Sequence, residues 1–102
     1  MAKLYVTEFR SDQVPVGTAN NLPNVIGVID QTPITIGASS AQSAAFDGGT
    51  SMIRLHTDAI CSVAFGPNPT ATANTMRLAA NETVLMTVRP GTSFKVAVIT
   101  NS

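Results

Sequence analysis

The strongest constraint in this chain is its rhythm. Runs of about five to eight residues rich in Val, Ile, Thr and Phe recur, separated by Gly, Pro, Asn, Asp and Ser. Side chains on a strand alternate between two faces, so such runs read as strands with one face in a core. Lys3–Arg10 is the first: Leu4 and Val6 alternate with Tyr5 and Thr7. Asn24–Asp30 is the second. Pro33–Gly37 is the third, its leading proline suited to a strand's first residue or to an edge. Gln42–Phe46 is a weaker fourth. The second half is clearer. Ser51–Thr57 sets Ile53 and Leu55 inward and Arg54 and His56 outward. Ile60–Phe65 aligns Cys61, Val63 and Phe65. Thr83–Arg89 alternates Val84, Met86 and Val88 with Thr83, Leu85 and Thr87. Ser93–Thr100 aligns Phe94, Val96 and Val98.

The spacers carry turn chemistry. Asp47–Thr50 (DGGT) and Thr57–Ala59 turn the chain, and Pro90–Thr92 (PGT) signals a hairpin. Ser11–Pro23 is polar and is expected to be the most mobile stretch. No sustained helical period appears, although Met76–Ala80 has room for one helical turn. About eight short strands with Gly and Pro turns predict an all-β fold: a single-domain β-sandwich over residues 1–102, jelly-roll-like, with an immunoglobulin-like sandwich as the alternative.

Composition narrows the function classes. Only 12% of the 102 residues are charged, against about 25% in a typical soluble domain. Much of the surface is therefore neutral, which suits a surface covered in an assembly. The formal net charge is +0. Neither nucleic acid nor an anionic membrane is an expected partner, since both call for a basic patch. No signal-peptide pattern and no apolar run of about 18 residues is seen. The expected site of synthesis is the cytoplasm.

Chemistry-bearing residues are few. His56 is the only histidine and Cys61 the only cysteine, so no internal disulfide forms. A Cys61–His56–Asp58 nucleophile set is suggested by "RLHTDAIC", but strand alternation sends His56 outward and Cys61 to the apolar face of the next strand. A metal site needs three or four close ligands, and one His with one Cys does not supply them. Glu8, Asp12, Asp30, Asp47, Asp58 and Glu82 are scattered. Arg54, Arg77, Arg89 and Lys95 could form a small basic cluster or stand as solvated surface charges. Phosphate-loop, dinucleotide and serine-hydrolase motifs are absent. No enzyme activity, cofactor or metal is expected.

One segment stands apart. Gly66–Asn81 spans about 16 residues, beyond hairpin length, and loops of that size tend to be functional. Pro67 and Pro69 restrict its backbone. Asn68, Thr70 and Thr72 offer uncharged hydrogen-bonding groups, and Met76, Leu78, Ala79 and Ala80 supply apolar area. That mix suits a protein contact. The plainer reading is a crossover between the two sheets, with Leu78 in the core.

The opening "MAKLYVTEF", the central "IRLHTDAICSVAFGPNPTAT", then "RLAANET" and the closing "PGTSFKVAVIT" together resemble small virion accessory proteins of tailed bacteriophages. The resemblance is to capsid cement or decoration proteins, which bind the outside of the head, commonly with a jelly-roll or related sandwich. It implies a structural protein of the capsid surface, made in the host bacterial cytoplasm. The implied partner is the major capsid protein, bound by a dimer or trimer of this chain. A head–tail connector, tail or fibre accessory role is the alternative. The expected contact residues are Leu4, Tyr5, Pro67, Asn68, Pro69, Thr70, Thr72, Met76 and Arg77, with the N-terminal strand available to pair with a neighbour's sheet edge.

Overall fold

The computed structural model describes residues 2–10, 28–89 and 91–101. Nine strand segments form two antiparallel sheets, and no helix occurs among the described residues. They are β1 (Lys3–Arg10), β2 (Val28–Asp30), β3 (Ile34–Thr35), β4 (Ala41–Gln42), β5 (Thr50–Thr57), β6 (Cys61–Gly66), β7 (Met76–Leu78), β8 (Thr83–Thr87) and β9 (Lys95–Thr100). Sheet one has the order β2-β1-β5-β8, with β3 also on β1. Sheet two has the order β4-β9-β6-β7.

β2 and β3 act as one interrupted strand along β1. The register steps by one residue between Thr7↔Asp30 and Leu4↔Ile34, and Gln31 N bridges to Val6 O at 3.0 Å. From β3 onward the chain changes sheet at every connection except β6–β7. That alternation around one same-sheet hairpin is the winding of a jelly roll. Here the strand that lies beside the roll's first strand opens the chain as β1.

The core follows from period-two alternation. Leu4 and Val6 of β1, Ile53 and Leu55 of β5, Cys61 and Val63 of β6, Leu78 of β7, and Val96 and Val98 of β9 are each at most 2% exposed. Burying an aliphatic side chain of this size contributes about 1.5–3 kcal/mol. Ile34, Ile36 and Phe46 complete the cluster, and Val84, Met86, Phe65 and Phe94 pack at its margin.

Two local expectations change. Met76–Leu78 is strand rather than helix, because β7 completes the ladder on β6 through Cys61↔Leu78. Pro90–Thr92 does not close a hairpin: β8 pairs with β5 and β9 with β6, so the turn arches between sheets. Gly91 takes φ 82 there, a backbone that glycine adopts without strain; Pro90 lies outside the described residues. So do Ser11–Pro23 and the Asn24–Gly27 part of the second expected strand.

Candidate functional site

The two outer faces of the sandwich are treated differently. On sheet two the outward residues of β9 and β6 include Ala97 and Ser62, yet both are 0% exposed. Their cover is residues 67–75, the connection from β6 to β7. Gln42 Nε2, outward on β4, donates to Asn68 Oδ1 at 2.9 Å and to Pro69 O at 2.8 Å. Ala71 N donates to Ser40 Oγ at 2.9 Å. Asn101 Nδ2 donates to Ser62 Oγ at 2.6 Å and to Ala73 O at 3.3 Å. A Thr72–Thr75 turn closes the far end, with Thr75 Oγ1 donating to Thr72 O at 2.8 Å. Pro69 and Ala71 are the buried residues of this strap. The loop is therefore not a crossover between sheets, since both of its strands lie in sheet two. Leu78 does enter the core, at 2% exposure.

Sheet one has no such cover among the described residues. Register places its outward side chains in rows: Val28–Phe9–Met52–Thr87, Asp30–Thr7–Arg54–Leu85, and Tyr5–His56–Thr83. Leu85 is 60% exposed and Tyr5 36%. Phe9, Val28 and Met52 are half-buried. Tyr5 and His56 stack with ring centroids 6.3 Å apart, and His56 Nδ1 lies 2.7 Å from Thr83 Oγ1. Thr7 Oγ1 donates to Asp30 Oδ1 at 3.2 Å. The result is a flat face with an apolar stripe, hydroxyls between, and few charges. It has the makeup of a protein-binding surface.

The expected contact residues divide. Tyr5 lies on the open face. Leu4 does not: it is 0% exposed, on the core side of β1, and cannot meet a partner. β1 is no edge either, being flanked by β5 on one side and by β2 and β3 on the other, so it is not free to join a neighbour's sheet. Pro69 is buried within the strap. Pro67, Asn68, Thr70 and Thr72 are exposed on the strap's outer surface, and Met76 and Arg77 are exposed on the edge strand β7. These six share the sheet-two side, away from Tyr5. Phe9, Val28, Met52 and Leu85 share the outer face of sheet one with Tyr5 and were not among the expected contacts. Their signal was present: each is an apolar residue in the outward phase of its strand.

Other chemistry is dispersed. His56 sits on the outer face of sheet one, while Cys61 is buried in the core with Sγ 3.5 Å from Thr57 Oγ1. Burial pushes the Cys61 thiol pKa up, opposed in part by the Thr57 hydrogen bond. No group of three His, Cys, Asp or Glu side chains among the described residues is placed to hold a metal ion. Arg54 and Arg77 occupy opposite outer faces, so the four cations form no single cluster. Glu8 is 2% exposed and accepts from Gln31 Nε2 at 2.7 Å, Asp47 N at 2.8 Å and Thr50 Oγ1 at 2.6 Å. Gln31 in turn exchanges bonds with Ala44, so Glu8 ties β1 to the segment between β4 and β5.

One end of the sandwich opens into a cavity of about 470 Å³ between the sheets. Phe46, Ile53, Phe65, Met86, Val88 and Phe94 line it, and Arg89 is the one titratable residue among its described lining. No helix among the described residues is long and apolar enough to cross a membrane. No protein-family model, curated protein or solved structure matches the chain.

Proposed function

We propose that this chain is a structural virion protein of a tailed bacteriophage, a decoration protein that binds the outside of the capsid. The observation that carries the reading is the asymmetry of the sandwich. One outer face is sealed by the protein's own strap, and the other has no cover among the described residues, with Tyr5, Phe9, Met52 and Leu85 along it. Low charge and the resemblance of the N-terminal, central and C-terminal segments to virion accessory proteins support it further.

The mechanism is mechanical. The open face of sheet one docks on the major capsid protein across the joints of the shell. Binding the assembled shell more tightly than its free subunits stabilises assembly by linkage. Many weak contacts on a symmetric lattice then act together against internal DNA pressure. The test is the copy number of this chain in purified virions, measured by quantitative mass spectrometry against the major capsid protein. A one-to-one ratio or a simple fraction of it is expected. A handful to a few dozen copies would move the protein to the neck or tail, and absence from virions would end the reading.

A further inference from the structure

The strand edges of the two sheets are not equally protected. β2 and β3 run along β1 with a register step between them and Pro33 in the break. β4 offers two residues, and β7 three with Arg77 in the middle. Shortness, a bulge, a proline or a charge is how natural sheets keep an edge from pairing. β8 has none of the last three. It presents five residues, Thr-Val-Leu-Met-Thr, in unbroken register on β5.

The partner strand sets which backbone groups of β8 face away from β5. Val88 N donates to Ser51 O at 2.8 Å, and Thr57 N donates to Glu82 O at 3.2 Å. Residues of an antiparallel pair alternate in the side to which they bond. Val84 and Met86 therefore bond toward β5. The N–H and C=O groups of Thr83, Leu85 and Thr87 point away from the sheet.

We propose that β8 is a homodimerisation edge, at which two copies of this chain pair antiparallel about Leu85. A two-fold contact needs a patch that complements itself. The segment does so: a threonine at each end, an apolar residue inside each, and Leu85 at the centre. Pairing sets Leu85 against the partner's Leu85, and Thr83 against the partner's Thr87, cross-strand pairs that add to the backbone bonds. Two sheets become one continuous sheet. The two open faces become a single platform twice as wide. The dimer is argued from β8 alone and stands apart from the capsid reading.

The test combines sedimentation equilibrium with amide hydrogen exchange on the full chain. The wild type is expected to reach twice the 10.6 kDa chain mass as concentration rises. Over the same range the Thr83, Leu85 and Thr87 amides should gain protection. Leu85→Lys, at an exposed position, should sediment at the chain mass, and Thr72→Lys on the strap should still dimerise. A wild type that stays monomeric at every concentration overturns the proposal. So does a dimer in which the Thr83, Leu85 and Thr87 amides still exchange freely, a reading on the wild type that decides the matter even if Leu85→Lys unfolds the chain.

Discussion

Glu8 shows how one residue can hold three parts of a chain. Its carboxylate is buried, and it takes hydrogen bonds from Gln31, the Asp47 backbone and Thr50. Glu8→Gln keeps the volume but turns one acceptor into a donor facing a donor. A loss of about 2–3 kcal/mol in urea denaturation is expected, because buried groups left without partners cost about that much. Cys61 makes a second residue-scale prediction. Its pKa is raised above the ordinary 9.0 by burial, so the folded state keeps the proton that the unfolded thiol gives up. Stability contributed by this group is complete below pH 9 and is lost as pH rises from there through the raised folded value. Cys61→Ala should lack that component of alkaline destabilisation, and the native thiol should resist alkylation at neutral pH. Cys61 lies in the core and His56 on an outer face, so Cys61→Ser should leave virion incorporation intact in chains that fold, as read by mass spectrometry of mutant particles.

Among the elements, legibility in the sequence tracked burial contrast. Lys3–Arg10 alternates apolar core positions with outward ones, and the strand has those bounds. β5, β6 and β9 read nearly as well for the same reason. β3 and β4 shrink to two residues each, because their length is set by which neighbour offers a ladder, and that is not written locally. Turn chemistry has the same gap. Pro-Gly-Thr suits a reversal whether the chain returns within its sheet or arches to the other. The strap reads in the sequence as a long, shaped loop, but its destination is not written there. Its buried residues are Pro69 and Ala71, too small and sparse to form a period. Gln42 is the other half of that hidden contact. Gln42→Ala removes both of its bonds to the strap, and a loss of about 1–2 kcal/mol with faster amide exchange at Ala71 is the expected outcome.

For the molecule as a whole, the sealed and open faces make opposite predictions. Tyr5→Glu puts a charge on the open face and should lower occupancy on capsids, while stability falls by about 1 kcal/mol with loss of the stack on His56. Thr72→Glu on the strap's outer surface should leave occupancy unchanged. Binding of both variants to purified shells, read beside their thermal melts, checks the pair. The sandwich was legible because many short alternating runs admit few other folds. The open face was less so: only Tyr5 of its apolar residues was singled out, since which side of an alternating strand faces a partner depends on what the rest of the chain covers.

The start of β1 and the end of β9 meet on neighbouring residues. Ile36 N donates to Ala2 O at 3.0 Å, and Thr100 N donates to Gly37 O at 2.9 Å. A short linker could therefore join the ends, and the chain could be reopened elsewhere without altering a single strand pairing. The same closeness fixes where a fused cargo would sit. Cargo inserted beside Ala2 or Thr100 leaves from one pole of the sandwich, so a display fusion can be built at either position.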